Sequence, residues 1–150
     1  MTAGAAGAPA PEPPRARPPR GGETILVVDD EPSIRRVVRA ILERLGYRVL
    51  EAPGGHEALA LLEAAPHAPD ALLTDAVMPG MRGRELARAF RARLPDRPVI
   101  LMSGYAEDAH LGRDEVAAFL VKPLTPDELA HSLRAALDAS AEAPRPPPRA

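Results

Sequence analysis

The sequence predicts a doubly wound α/β domain, in which helices cover both faces of a five-stranded parallel sheet. Strand and helix patterns alternate five times between residues 23 and 138. The strand segments are short apolar runs without polar alternation, which is typical of parallel strands buried on both faces. Strict alternation of strands and helices favours a layered α/β arrangement. We therefore expect a single (βα)5 domain built as a three-layer sandwich.

Five apolar runs supply the predicted strands. The first is compact and rich in β-branched residues, and the third ends abruptly on Asp75 before a Pro-Gly turn signal. Since each run holds only four or five residues, strands are a better interpretation than helices. The predicted strands cover residues 24–28, 47–51, 71–75, 98–102 and 117–121.

Five amphipathic segments supply the predicted helices. The clearest begins at Pro32 and ends before Gly46, with apolar residues at helical spacing. That predicted stripe consists of Ile34, Val37, Val38, Ile41, Leu42 and Leu45. The predicted helices cover residues 32–45, 55–65, 84–94, 106–113 and 126–138.

Composition excludes several classes of protein. A net charge of -2 argues against electrostatic binding of nucleic acid, and the absence of cysteine excludes disulfide and thiolate chemistry. No apolar run approaches the roughly 20 residues that a membrane span needs. The amino terminus lacks the apolar segment of a signal peptide. We therefore expect a cytoplasmic protein without membrane insertion or direct contact with nucleic acid.

Two proline-rich tails flank the predicted domain. Ten of the 19 prolines fall in residues 1–22 and 139–150. Such segments bury too little apolar surface to offset the entropy of ordering, so we expect both to be disordered. The folded domain is then expected to cover residues 23–138. With only 12 residues after it, we expect the domain to stand alone and to act through partners.

Reactive side chains follow four of the five predicted strands. Asp29 and Asp30 end the first strand, Asp75 the third, Ser103 the fourth and Lys122 the fifth. Because the carboxyl ends of parallel strands share one edge of the sheet, these side chains are expected to converge. Taken alone, Asp75 would be interpreted as a turn residue and Ser103 as a helix cap.

The converging groups indicate a phosphoryl-transfer site. Three carboxylates at one edge repel one another unless a cation joins them, and an all-oxygen ligand set favours Mg²⁺. Lys122 is the only lysine among 19 cationic residues, and a compact ammonium suits contact with phosphate oxygens. Its alternative role is a plain salt bridge to Asp75. A carboxylate can itself accept a phosphoryl group.

The chain resembles the receiver domain of bacterial two-component response regulators over residues 23–138. Four segments carry the resemblance: ILVVDDE at 25–31, TDAVMPG at 74–80, SGY at 103–105 and FLVKP at 119–123. The resemblance implies a flavodoxin-like sheet with strand order 2-1-3-4-5. Ser103 and Gly104 stand where Thr and Ala are frequent in the family, as in receivers attached to hybrid histidine kinases.

The resemblance also implies the roles of the site residues. Asp75 accepts a phosphoryl group from the phosphohistidine of a sensor histidine kinase. Mg²⁺ is ligated by Asp29 or Asp30, by Asp75 and by the backbone carbonyl of Val77. Ser103 and Lys122 bind the phosphoryl oxygens, and the bond between Lys122 and Pro123 is cis. A shift of Ser103 leaves space for Phe119, although Phe119 is equally well interpreted as a core residue.

The implied output is either a changed protein-interaction surface or relay of the phosphoryl group to a histidine phosphotransfer protein. The interaction surface is expected to involve the predicted helix at 106–113, the fifth strand and the last helix. The implied partners are a sensor histidine kinase, a histidine phosphotransfer protein and a downstream protein target. Two alternatives stay open: a phosphate-independent binding module on the same fold, and a Mg²⁺-dependent phosphohydrolase with an aspartate nucleophile. The second usually has another Asp two residues after the nucleophile, where this chain has Val77.

Overall fold

A parallel sheet of five strands forms the centre of the domain in the computed structural model, which describes residues 19–104 and 116–142. The strands are β1 Thr24–Val28, β2 Arg48–Ala52, β3 Ala71–Asp75, β4 Val99–Ser103 and β5 Ala118–Val121. All neighbouring strands are parallel, and their order is β2-β1-β3-β4-β5. The predicted fold class and strand order are therefore confirmed.

Four helices connect or follow these strands in the described residues. They are α1 Pro32–Arg44, α2 Gly55–Ala64, α3 Gly83–Arg93 and α4 Pro126–Glu142. The helix predicted at 106–113 lies outside the described residues. None of the helices in the described ranges is long and apolar enough to cross a membrane.

Helix α4 is longer than the apolar pattern predicts. It continues to Glu142, so the boundary predicted at Asp138 was four residues too early. The hydroxyl of Ser140 donates a hydrogen bond to the backbone carbonyl of Asp96, which precedes β4. A tertiary contact thus holds the final turn of α4, and the spacing of apolar residues does not report such contacts.

The apolar core consists of two clusters, one on each face of the sheet. Ile25 and Val27 of β1 belong to the cluster that includes residues of α1 and α4, whereas Leu26 and Val28 belong to the cluster that includes residues of α2 and α3. Successive side chains of a strand point to opposite faces, so β1 contributes to both clusters. This is the physical reason why the strands are uniformly apolar.

The face that α1 buries is narrower than its predicted stripe. Val38 and Leu42 are buried, but Val37 is 60% exposed. Around a helix of 3.6 residues per turn, Val37 lies roughly 100° from the centre of the face that holds Val38, Leu42 and Leu45. The assignment of Val37 to the buried stripe was therefore wrong.

The chain is already ordered before β1. The Gly21 amide donates to the Leu45 carbonyl at 3.1 Å, and the Arg20 guanidinium donates to the Arg44 carbonyl at 3.0 Å. These bonds satisfy backbone carbonyls at the carboxyl end of α1, which a helix leaves without intrahelical partners. Arg20 and Gly21 therefore contact the end of α1, whereas the domain boundary at residue 23 stays a prediction.

Candidate functional site

Buried polar side chains lie at the carboxyl ends of the strands. Among the described residues, the buried polar and charged side chains are Asp29, Thr74, Asp75 and Ser103. Asp29 directly follows β1, Thr74 and Asp75 end β3, and Ser103 ends β4. Burying a carboxylate is costly unless it is paired or bound to a cation. The concentration of buried charge at this edge marks it as the candidate site.

Asp29 is held through all four of its polar atoms. Its amide donates to the Ala52 carbonyl at 3.3 Å, and its carbonyl accepts from the Arg35 guanidinium at 2.6 Å. Its Oδ1 accepts from the Glu31 amide at 2.9 Å, and its Oδ2 accepts from the Lys122 ammonium at 2.9 Å. Because each polar atom of Asp29 has a hydrogen-bond partner, its backbone and carboxylate are held in one orientation.

Asp29 is one of three carboxylates that converge at this edge of the sheet. One oxygen from each of Asp29, Asp30 and Asp75 lies within 4.8 Å of the others. Asp29 and Asp75 are buried, whereas Asp30 is exposed. The structure therefore brings together all three carboxylates that the sequence predicts, with one of them open to solvent.

Lys122 reaches this cluster from the end of β5. Its Nζ lies 2.9 Å from Asp29 Oδ2 and 3.4 Å from Asp75 Oδ1. Burial disfavours the charged ammonium, but the hydrogen bond to Asp29 and the attraction of both carboxylates outweigh it and raise the pKa of Lys122. The ammonium is therefore charged at neutral pH and balances part of the negative charge.

One ammonium does not fully stabilise the carboxylate of Asp75. Burial raises the pKa of Asp75, as does the charge of Asp29, against the lowering effect of Lys122. The Val77 amide lies 3.5 Å from Asp75 Oδ1, and the Val77 side chain is 61% exposed. An additional cation near Asp75 would favour its ionised form.

Ser103 lies at the end of β4, the strand next to that of Asp75. In the pairing of β3 with β4, Asp75 lies opposite Met102, and the buried Ser103 follows directly. The Ser103 carbonyl accepts a hydrogen bond of 2.7 Å from the Lys122 amide. The peptide bond between Lys122 and Pro123 is cis. Ser103 and Lys122 are thus joined to each other through the backbone.

Phe119 lies on β5 opposite Leu101 of β4. It is half-buried rather than part of the two buried clusters. This position is compatible both with ordinary packing and with movement of the ring.

Sequence reasoning missed the side chains that support the β1 end of the site. Arg35, which donates to the Asp29 carbonyl, also lies 3.6 Å from Glu51 of β2 in an ion pair. Glu51 in turn accepts from Arg39 at 2.5 Å. The position of Glu51 in the sequence could have revealed this contact. Glu51 lies near the end of β2, which is next to β1, so its side chain is close to the start of α1.

The donor set fits a magnesium ion. Three carboxylate oxygens are gathered at one point, and oxygen ligands from few carboxylates are the usual protein contribution to Mg²⁺ binding. Histidine, which would favour a softer metal, is absent from the group.

Comparison with known proteins gives one family. The model of the response regulator receiver domain matches residues 25–134. The chain is 39% identical to the sensor kinase CckA of Brucella abortus over 121 residues, which are 79% of this chain and 13% of CckA. It is also 39% identical to the chemotaxis protein CheY1 of Helicobacter pylori over 119 residues, which are 75% of this chain and 95% of CheY1. The chain thus corresponds to a small part of the first relative and to nearly all of the second.

Solved structures of receiver proteins have the same fold. The response regulator protein TrrA from Thermotoga maritima, solved in complex with Mg²⁺-BeF, superposes with a TM-score of 0.69 at 32% identity. The match covers 75% of this chain and 97% of TrrA.

Proposed function

The chain belongs to the response regulator receiver domain family of two-component signalling, and on that premise we propose that Asp75 is its phosphoryl acceptor. The observation that carries the proposal is the position of Asp75, a buried carboxylate whose Oδ1 lies 3.4 Å from the Lys122 ammonium and within reach of two further carboxylates. Receiver domains act as signalling switches rather than as conventional enzymes.

The proposed reaction transfers a phosphoryl group from a phosphohistidine to Asp75. A carboxylate oxygen of Asp75 forms the new bond to phosphorus, and the phosphorus–nitrogen bond breaks as the imidazole leaves with its electron pair. The group in transit carries negative charge on its equatorial oxygens, so positioning and charge neutralisation dominate the catalysis. Lys122 supplies one positive charge, and Ser103 supplies a hydroxyl donor at the end of β4.

Asp29, Asp30, Asp75 and the backbone carbonyl of Val77 would hold Mg²⁺ in this site. The chemistry supplied by a bound Mg²⁺ is neutralisation of charge on the phosphoryl oxygens. Asp29 keeps the β1 end fixed through its four hydrogen bonds. Asp30 is exposed and free to adapt to the ion and its water ligands.

The proposed switch is driven by the negative charge that phosphorylation adds to the site. Phosphorylation adds about -1.5 to -2 charge and three acceptor oxygens at Asp75. Lys122 then exchanges carboxylate contacts for phosphoryl contacts, and Ser103 moves towards the new acceptors. Phe119, which is half-buried on β5, occupies the space that Ser103 leaves.

The proposed partners are a sensor histidine kinase on the input side and, on the output side, either a histidine phosphotransfer protein or another protein target. The output surface includes β5 and α4 together with residues 106–113, which lie outside the described part of the chain. Its location in the cytoplasm and the absence of nucleic-acid binding remain predictions from the sequence.

Phosphorylation in vitro tests the assignment. Incubation with Mg²⁺ and acetyl phosphate should add one phosphoryl group, detected as a mass increase that hydroxylamine removes. Asp75→Asn should abolish the increase, because an amide oxygen is a poor nucleophile. The matched control is Asp96→Asn, since Asp96 is exposed and precedes β4 at the opposite edge of the sheet. This variant should be phosphorylated like the wild type.

The same experiment separates the alternatives. A wild-type protein that gains no phosphate would indicate a phosphate-independent binding module. Continuous release of inorganic phosphate from small monoesters, lost in Asp75→Asn, would indicate a phosphohydrolase. Either result contradicts the proposed phosphoacceptor role.

A further inference from the structure

Gly83 lies in unusually close contact with the backbone of the proposed phosphoacceptor. It is the buried first residue of α3, and its amide donates to the Ala76 carbonyl at 3.1 Å. A Cβ placed on Gly83 would lie 2.2 Å from the Asp75 carbonyl oxygen and 2.8 Å from Ala76 Cα. Real Cβ atoms do not approach other heavy atoms this closely, so a side chain at position 83 requires the backbone to move.

Backbone conformation does not explain why glycine occupies this position. Among the described glycines, only Gly46 and Gly80 have positive φ, so an alanine could adopt the backbone angles of Gly83. The absence of a Cβ at position 83 is instead explained by the close approach of α3 to the backbone of Asp75 and Ala76.

The contacted atoms belong to the start of the loop between β3 and α3. This loop covers residues 76–82 and carries Val77, whose backbone carbonyl is a ligand in the proposed metal site. Unlike the end of a flexible side chain, the peptide between Asp75 and Ala76 cannot move aside without moving the residues on both sides of it. A side chain at Gly83 would therefore shift Val77.

The far end of the loop is held as well. The Met81 side chain packs against Gly55 at the start of α2, where an added Cβ would lie 2.5 Å from the Met81 sulfur. Met78 in the middle of the loop is 5% exposed and belongs to the core cluster beside α2 and α3. Because the loop is anchored at these points, it has little freedom to absorb a displacement at Gly83.

We propose that Gly83 is a positioning residue of the metal site, which acts by letting α3 approach the Asp75 carbonyl and so fixing the Val77 carbonyl for the ion. This inference rests on the proposed function, because it assumes that Mg²⁺ binds between Asp29, Asp30 and Asp75. Gly83 does not touch the metal or the phosphoryl group. Its effect is transmitted through the backbone of residues 75–77.

The main test compares Gly83→Ala with Gly22→Ala, where an added Cβ meets nothing within 4 Å. The dissociation constant for Mg²⁺ is measured by calorimetry and by shifts of the Asp75–Val77 amide signals in NMR. Mutation of a residue that holds a metal ligand in place typically weakens metal binding tenfold or more. We expect about tenfold weaker binding in Gly83→Ala, with native circular dichroism, and unchanged binding in Gly22→Ala. Native Gly83→Ala protein with wild-type affinity would overturn the proposal.

A measurement on the wild-type protein covers the case in which Gly83→Ala does not fold. Exchange of the Gly83 amide hydrogen, which is bonded to the Ala76 carbonyl, should slow at least fivefold when Mg²⁺ is added. Unchanged exchange at saturating Mg²⁺ would overturn the role of Gly83 and leave the metal site intact. Failure of the wild-type protein to bind Mg²⁺ would instead contradict the proposed function itself.

Discussion

At position 77 an apolar side chain stands beside the proposed phosphoacceptor. The Val77 amide lies 3.5 Å from Asp75 Oδ1, and the side chain is 61% exposed at the open side of the site. We expect a water molecule that attacks the proposed aspartyl phosphate to approach beside Val77, whose side chain offers it no hydrogen bond. Because nothing at this position orients the water, we expect the proposed phosphorylated state to be long-lived.

Replacement of Val77 by Asn should shorten that lifetime. One hydrogen bond to the attacking water, at about 1 kcal/mol, corresponds to an approximately fivefold faster loss of phosphate. The rate is measured by following the phosphorylated protein by mass after removal of the phosphodonor. Val77→Ala is the control, because it removes the valine methyl groups without adding a donor or acceptor. Equal rates in Val77→Asn and the wild type would refute the role of this position.

The convergence of the site residues followed from the sequence, but their individual contacts did not. Parallel strands place their carboxyl ends at one edge, so Asp29, Asp75 and Lys122 had to meet. Lys122 nevertheless lies closer to Asp29, at 2.9 Å, than to Asp75, at 3.4 Å. Such distances depend on rotamers and on the support that Arg35 gives to Asp29, and no local sequence pattern encodes either of them.

At the scale of the elements, α1 shows how a helical stripe differs from a buried face. The apolar residues of α1 are spread around a wide part of the helix surface. The sheet and α4 cover only some of that surface. Val38 is 2% exposed, whereas the adjacent Val37 is 60% exposed. Periodicity was sufficient to predict the helix and its boundaries to one residue. The limit of its buried face depends on how closely neighbouring elements pack, which only the tertiary structure shows.

Val37 and Val38 provide a matched test of where the buried face of α1 ends. Val38→Ala should lower the free energy of unfolding by about 1.5 to 3 kcal/mol, because it removes buried methyl groups and leaves a cavity. Val37→Ala should change it by less than about 0.5 kcal/mol, as is usual for exposed positions. Urea unfolding measures both, and the loss of β-branching is the same in each variant. Similar losses in the two variants would show that Val37 is buried in solution.

At the scale of the whole molecule, the two edges of the sheet have different electrostatic character. The carboxyl edge gathers carboxylates around one ammonium, an arrangement that favours cation binding over stability. At the amino edge, Arg134 of α4 instead pairs with Glu23 at 2.6 Å and with Asp138 at 2.8 Å. It also donates to the Arg20 carbonyl at 3.2 Å. This edge therefore ties α4 to the chain that enters β1, away from the proposed site.

The pair of Glu23 and Arg134 should make stability depend on pH in a defined window. The hydrogen bond from Arg134 lowers the pKa of Glu23 below its usual value of 4.5. A carboxyl group whose pKa is lower in the folded state stabilises that state above the unfolded pKa, and its contribution disappears as the pH falls through the folded pKa. Solvent screens the pair, so at pH 7 we expect Glu23→Gln to be less stable by about 0.5 to 1 kcal/mol.

The difference between Glu23→Gln and the wild type should shrink as the pH is lowered below about 4.5, the usual pKa of glutamate. Urea unfolding at pH 7, 5 and 3.5 measures it. Glu63→Gln is the control, because Glu63 is 72% exposed and lies 3.5 Å from Arg93, so that pair should contribute little at any of these pH values. A Glu23→Gln difference that stayed constant from pH 7 to pH 3.5 would mean that the side chain contributes through its shape. Phosphorylation of Glu23→Gln should match the wild type at pH 7, since the pair lies at the edge of the sheet opposite Asp75.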